Sequence, residues 1–298
     1  MRFQKVLVTG AGGLLGSAIV AELQGRTGLA GLDILPDPEG VAHVQGSVED
    51  PAAVARAMKG CDAVLHIAAR PNIWSGNGRE IMTTNVVGTW NVLEAAEAAG
   101  VRRVVVTSSD SVVGYTVREG RMVPPDYLPV DIAHPLRPTD PYALSKQMCE
   151  AAARAFEARG LEMVVIRPVF VLYPDIEGEV QARSRHPDTY KWPMAGGRNP
   201  PGGGVMWHYV DPRDLARAFR LALDVDKAPF GPHFISGPNT LAPEPTIDRL
   251  ARIMGRRIEV RRPEVYARNP FAPLYDLDGA RDALGYVPEH DLRAKLAV

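Results

Sequence analysis

Two periodicities alternate along the first 170 residues. Short apolar, β-branched runs at Lys5–Thr9, Leu29–Asp33, Ala63–Ile67, Val104–Ser108 and Met163–Arg167 show no polar face. Strands covered on both sides of a parallel sheet read this way. Helical stretches lie between them, at Gly13–Leu23, Pro51–Lys59, Glu80–Ala99 and Pro141–Arg159. Strand–helix alternation of this kind predicts a doubly wound parallel α/β sheet. Beyond residue 170 the pattern weakens. Residues 174–204 hold 11 Gly or Pro in 31 positions and read as a long irregular segment. Helical pattern returns at Asp211–Leu223, Thr246–Met254 and Leu277–Leu284. The expected division is a core over residues 1–170, to which 209–235 return, and a small mixed C-terminal cap from 171–208 and 236–298.

Composition narrows the function classes. The 298 residues are 46% hydrophobic and 23% charged, which excludes wholesale disorder. Charges sum to 34 − 35 = −1, so no basic field is present to hold a nucleic acid backbone. No apolar run reaches the roughly 18 residues that would span a bilayer, and no charged leader precedes the first strand. A cytoplasmic protein acting without a membrane is expected. Cys61 and Cys149 sit in no CxxC or Cys/His spacing, so neither a disulfide framework nor a metal site is expected. Gly and Pro total 28 + 26 = 54 residues. The excess gathers at the first turn, ahead of Tyr142 from Pro124 to Pro141, and across 174–204.

The first turn carries chemistry. Val6-Leu7-Val8-Thr9 leads through Gly10-Ala11-Gly12-Gly13-Leu14-Leu15-Gly16 into a helix. Glycines at 10, 13 and 16 suit a tight turn, close approach of backbone to a pyrophosphate, and helix–sheet contact. The helix N-terminus offers free N–H groups to that anion. Asp33, about 20 residues on, stands where a carboxylate accepts hydrogen bonds from ribose hydroxyls. Ile34-Leu35-Pro36-Asp37 follow, with no Arg or Lys for a 2′-phosphate, so the Rossmann reading favours NAD over NADP.

A second cluster lies at the other end of the sheet. Tyr142 and Lys146 are four apart at the start of a helix and face the same way. A nearby ammonium is expected to lower the tyrosine pKa and make it a usable acid/base. Val104-Val105-Val106-Thr107 runs into Ser108-Ser109-Asp110-Ser111 at the strand end where such sheets bind ligands. Taken alone, a Tyr-x-x-x-Lys pair is common on solvated helices.

Together these residues resemble the extended branch of the short-chain dehydrogenase/reductase superfamily, the epimerase/dehydratase group. Further matching runs are Asp62-Ala63-Val64-Leu65-His66-Ile67-Ala68-Ala69, Asn85-Val86-Val87-Gly88-Thr89, Ser108 through Gly114, Arg167-Pro168, Tyr209-Val210-Asp211 and Ala283-Leu284-Gly285-Tyr286. The resemblance implies that Tyr142 is the base. Lys146 would tune it and hold the nicotinamide ribose, and Ser109 would hydrogen-bond the reacting oxygen. It places Gly10, Gly13, Leu14, Leu15, Gly16, Asp33, Ser47, Val48, Ala68, Ala69, Thr107, Pro168 and Val171 at the cofactor. Asn85 joins them, chiefly as a helix residue tying backbone together. Asp62 and His66 are expected to serve strand structure. A homodimer joined through the two long helices is implied.

Departures from the group bear on substrate. Phe170 stands where sugar-nucleotide members carry an asparagine, and Val205-Met206-Trp207-His208 lacks their arginine, so two diphosphate donors are missing. Ser111 replaces the glutamate that dehydratases use beside Asp110. The expected substrate is a sugar, sugar acid or similar polyol, bound by Ser109, Asp110, Ser111, Phe170 and Arg183. Arg185 and Arg198 are alternatives to Arg183. Trp74, Trp192, Trp207 and His208 either line a sugar face or fill the cap core. A sugar or nucleotide-sugar epimerase is the alternative activity, and a non-catalytic dinucleotide-binding module the third.

Overall fold

The computed structural model describes residues 2–36, 41–114, 123–185 and 208–298, and only the backbone of Arg183. Trp192, Arg198 and Trp207 lie outside the described residues, as do Asp37, Val205 and Met206.

Among the described residues, nine strands form two sheets. They are β1 (Lys5–Thr9), β2 (Gly28–Asp33), β3 (Ala42–Gln45), β4 (Ala63–His66), β5 (Arg103–Thr107), β6 (Tyr127–Leu128), β7 (Glu162–Pro168), β8 (His233–Ile235) and β9 (Glu259–Val260). Seven make a parallel sheet in the order β3-β2-β1-β4-β5-β7-β8, and β6 pairs with β9. The chain reverses direction across the sheet between β1 and β4, which opens a crevice at their C-terminal ends.

The helices are α1 (Leu14–Leu23), α2 (Pro51–Met58), α3 (Gly78–Met82), α4 (Gly88–Ala98), α5 (Pro141–Ala158), α6 (Glu177–Arg185), α7 (Pro212–Asp224), α8 (Thr246–Met254), α9 (Pro263–Arg268), α10 (Asp278–Leu284) and α11 (Leu292–Leu296). Alternate residues of each strand feed two cores. Val6 and Val8 pack in one with Ile19 of α1 and Phe219 of α7. Leu7 packs in the other with Val54 of α2, Val92 of α4 and Phe156 of α5. A third cluster, around Leu172, Val180, Tyr209, Leu241, Leu292 and Leu296, joins the C-terminal elements to the segment after β7.

One expectation needs correction. The segment 174–204 is not irregular throughout, because α6 occupies Glu177–Arg185. Among its described side chains Val180 is the one hydrophobic residue in the core, so no apolar period announces it. It is held instead by Glu177 and Glu179 in its first turn, by Lys295 Nζ donating to Glu177 at 2.6 Å, and by Gln181 Nε2 donating to the Leu296 carbonyl. The Glu80–Ala99 stretch is helical without a break, as expected, but its hydrogen bonding is not uniform. A π-helical turn at Thr83–Val87 separates α3 from α4. It forms around buried Asn85, whose carbonyl accepts the Thr89 hydroxyl and the Cys149 thiol.

Candidate active site

The Gly-rich turn is shaped by close backbone approach. Gly10 takes φ +76°, and a Cβ there would lie 2.8 Å from the Ala68 nitrogen. A Cβ on Gly16 would lie 1.9 Å from the Gly10 carbonyl oxygen. The turn therefore needs glycine at 10 and 16 on steric grounds. At Gly13 a Cβ would make an ordinary 3.4 Å contact, so nothing within the chain itself demands glycine there. Gly13 precedes α1 with no side-chain cap, leaving the amides of Leu14 and Leu15 directed at whatever lies before the helix.

Asp33 closes β2 with its carboxylate facing the turn. Oδ2 accepts the Gly12 amide and Oδ1 the Leu35 amide, both at 2.9 Å. Gly12, which the sequence reading passed over, is thus the residue that ties the turn to Asp33. Each oxygen keeps a lone pair for a further donor. A bare helix N-terminus, a side-chain-free turn and an oriented carboxylate form a cradle that fits a dinucleotide.

The remaining cofactor-side residues surround this cradle. Thr9 Oγ1 accepts the Ile67 and Ala68 amides at 3.2 Å and donates to His66 Nδ1 at 2.8 Å. His66 Nε2 then donates to Thr89 Oγ1, because that hydroxyl is committed to the Asn85 carbonyl. Burial holds His66 down at about 3, so it stays neutral. Asn85 grips the backbone of Arg70 from both sides, accepting its amide at 2.7 Å and donating to its carbonyl at 3.2 Å. That grip fixes the path of Ala68-Ala69. Asp62 accepts the amides of Gln4 and Lys5 at the base of β1. Val48 is buried against Gly88 of α4, and Ser47 Oγ accepts the Glu49 amide at 3.1 Å. Pro168 ends β7 beside Ile235, and Val171 bridges to Val210.

The acid/base end forms where β5 meets α5. Asp140 caps α5 by accepting the Ala143 amide, and Pro141 occupies the first turn. This sets Tyr142 and Lys146 on the face toward β5. Lys146 Nζ donates to the Thr107 carbonyl at 2.9 Å, and Thr107 Oγ1 to the His66 carbonyl at 2.8 Å. The Tyr142 hydroxyl is hydrogen-bonded to Ser109.

The expected depression of the tyrosine pKa is not found. Burial pushes Tyr142 above its ordinary value, opposed by the Ser109 bond and reinforced by the charges of Asp110 and Asp140. Lys146 sits 5.9 Å from the ring centroid and is itself pushed down by burial. Its charge is spent on a carbonyl, and desolvation of the phenolate outweighs it.

Other candidates divide. Ser108 donates to Glu150 Oε1 at 2.5 Å, where Arg167 also makes two bonds at 2.7 Å. It therefore belongs to a buried network and is not turned to a ligand. Ser109, Asp110 and Ser111 begin the short 3-10 turn Asp110–Val113, with Ser109 as its cap. The Ser111 hydroxyl is buried without a partner. His208 is buried with both ring nitrogens unpartnered, 5.1 Å from the Tyr275 ring. Trp74 lies partly exposed on the loop after β4. Phe170 is half-buried after β7, while Arg185 is exposed. Tyr275, whose hydroxyl donates to Asp110 Oδ2 at 2.8 Å, was not foreseen. No local motif marks it, and 165 residues separate the pair.

The family described as NAD dependent epimerase/dehydratase matches residues 6–235. A 2-alkyl-3-oxoalkanoate reductase of Stenotrophomonas maltophilia is 34% identical over 57% of this chain and 52% of its own, so the match spans about half of that relative. A UDP-glucose 4-epimerase of Streptomyces lividans is 28% identical over 99% of this chain and 93% of its own. A uronate dehydrogenase of Pseudomonas putida is 32% identical over 55% and 60%. Among solved structures, a short-chain dehydrogenase/reductase superfamily protein of Agrobacterium tumefaciens with bound NAD is 27% identical. It covers 99% of this chain and 95% of its own, with a TM-score of 0.72.

Proposed function

Because the chain belongs to the NAD dependent epimerase/dehydratase family, and so to the NAD-dependent oxidoreductases and epimerases of the extended short-chain dehydrogenase/reductase type, we propose that it is a dehydrogenase. It exchanges hydride between NAD and a hydroxyl or carbonyl of a free sugar, sugar acid or similar polyol. The carrying observation is the Ser109, Tyr142 and Lys146 set at the strand ends beside a cradle for the dinucleotide. NAD supplies the hydride acceptor. The turn Gly10–Gly16, with the amides of Leu14 and Leu15, receives the pyrophosphate, and Asp33 receives the adenosine ribose. Ser47 and Val48 flank the adenine side, and Ala68, Ala69, Thr107, Pro168 and Val171 line the way to the nicotinamide. Tyr142 meets the reacting oxygen.

Substrate choice is assigned to 171–208 and 236–298 together with Asp110, Ser111, Phe170 and Arg183. Phe170 in place of an asparagine argues for a substrate without a diphosphate, and similarity to a uronate dehydrogenase supports a sugar acid. The experiment is NADH formation over a panel of aldoses, uronic acids and polyols, with UDP-sugars alongside. Activity confined to UDP-sugars would overturn this choice.

The near full-length match to a UDP-glucose 4-epimerase favours a second reading, epimerisation. In that case NAD would copurify tightly, and substrate would interconvert with no net NADH. A homodimer is also proposed. Val87, Trp90, Leu144 and Met148 on the π turn, α4 and α5 are 40–49% exposed, an apolar face of the kind that pairs.

A further inference from the structure

Two polar side chains at the ligand end of the sheet keep hydrogen-bonding capacity that the fold leaves unused. The first is Asp110, next to Ser109 in the chain. Its Oδ1 lies 3.3 Å from the Ser109 hydroxyl, and its Oδ2 accepts the Tyr275 hydroxyl at 2.8 Å. A carboxylate has about four lone-pair sites, so even with the Ser111 amide beside it a further donor finds an acceptor. Among the described residues no cation forms an ion pair with it. Lys146 is turned to the Thr107 carbonyl, and Arg137 is paired with Asp126. Asp110 is half-buried, so a ligand can reach it.

The second is His208. Residues 208–210 run extended between the segments that follow β7 and β8. The Val210 amide donates to the Phe170 carbonyl at 2.9 Å, and the Gly237 amide to the Tyr209 carbonyl at 2.6 Å. Side chains alternate along such a run. Tyr209 packs with Leu172 and Leu292, and His208 turns the other way, with its ring 5.1 Å from that of Tyr275. It is 8% exposed, and neither ring nitrogen has a partner. Burial keeps the ring neutral, so one nitrogen is a donor and the other an acceptor. Leaving both unmade is costly, and a hydroxyl, which donates and accepts, can satisfy either. Tyr275 stands between the two side chains, with its hydroxyl on Asp110, its ring against His208, and its far face stacked on Phe234 of β8.

We propose that Asp110 and His208, on either side of Tyr275, form a subsite for substrate hydroxyls that do not react, and that Asp110 takes the hydroxyl on the carbon next to the reacting one. This rests on the NAD-linked reading above. The reacting oxygen meets Tyr142 and Ser109, and Ser109 is also in contact with Asp110. Oxygens of neighbouring gauche hydroxyls stand about one hydrogen bond apart. With the first at Ser109, the second therefore falls at Asp110. A carboxylate only accepts, so it selects a donor there. A vicinal diol fits. A deoxygenated neighbour leaves the acceptor unfilled, and a carboxylate on that carbon would be repelled. An acid group at the far end of a sugar is not affected. His208 takes a hydroxyl farther along the substrate, and Tyr275 is the positioning residue for both side chains.

The test compares each sugar or polyol with its analogue deoxygenated beside the reacting carbon, in wild type, Asp110→Ala, Asp110→Asn and His208→Phe. NAD affinity, measured by calorimetry, should be unchanged in all three variants and shows that they fold. Wild type should prefer the parent compound by about 10–100-fold in kcat/KM, the worth of a hydrogen bond to a charged group. The preference should shrink to within about threefold in Asp110→Ala and less fully in Asp110→Asn. His208→Phe keeps a ring against Tyr275 and removes both nitrogens. It should raise KM for the parent about tenfold with kcat within about twofold, and leave the preference for the parent intact. Equal use of parent and analogue by wild type, or a preference that survives in Asp110→Ala, would overturn the proposal. An unchanged KM in His208→Phe would overturn the part given to His208. Calorimetric binding of the same pairs to the NADH-loaded enzyme reads the discrimination without turnover. Selective binding with no NADH formation would refute the dehydrogenase reading and support the subsite, turnover without discrimination would do the reverse, and binding of neither compound would overturn both.

Discussion

Replacing Glu150 by glutamine removes a buried charge on which three donors converge. Its carboxylate takes the Ser108 hydroxyl at 2.5 Å and the Nε and Nη2 groups of Arg167 at 2.7 Å each. Arg167 is 2% exposed, so the substitution leaves a guanidinium charge in the interior without its counter-ion. Breaking a buried pair from one side costs about 3–5 kcal/mol, and glutamine recovers part of this through one carbonyl acceptor. A loss of about 3 kcal/mol is therefore expected. At roughly 2–3 °C per kcal/mol for a chain of this size, Tm should fall by about 6–9 °C. Urea unfolding followed by circular dichroism measures it, as a lower midpoint with unchanged slope. The Glu150→Met, Arg167→Met double variant should be more stable than either single one, since no charge is then stranded. A loss under about 1 kcal/mol for Glu150→Gln, or a double variant as unstable as the sum, would refute this account of how β5, β7 and α5 are joined.

Three further outcomes are expected. Gly16→Ala places a Cβ 1.9 Å from the Gly10 carbonyl, so α1 must shift away from the turn; calorimetry should show NAD affinity reduced about 100-fold or more. Asp33→Asn keeps a carbonyl acceptor for only one of the Gly12 and Leu35 amides and loses the charge facing the ribose. NAD affinity should fall by about 1 kcal/mol, roughly fivefold, with NADP binding weakened less, as measured by fluorescence titration. Trp90→Glu puts a charge on the exposed apolar face of α4, and light scattering should find the variant monomeric at concentrations where the parent is a dimer.

Much of the fold was legible because the central strands are buried on both faces. Val6-Leu7-Val8, Val104-Val105-Val106 and Val164-Val165-Ile166 have no exposed position and announce themselves as unbroken apolar runs. Edge strands give no such run. Ala42–Gln45 is half solvated, and His233–Ile235 is three residues long. The cofactor turn and the Tyr142, Lys146 pair were legible because each is a local pattern with a local geometric cause. Glu150 lies one turn beyond Lys146 on α5, yet its role depends on Arg167 arriving from β7. Tyr275 reaches Asp110 only through the register Val130↔Tyr275 that follows β6. The raised Tyr142 pKa had no sequence signature, since it depends on how much water the folded pocket excludes.

The most direct measurement of the central claim is turnover by Tyr142→Phe, with NAD binding followed on the same sample. Phenylalanine keeps the ring beside Lys146 and deletes only the hydroxyl that contacts Ser109. NAD should bind within about twofold of the parent affinity, while kcat drops by about 10²–10⁴-fold. Turnover unchanged in Tyr142→Phe, with NAD still bound, would contradict the assignment of this site.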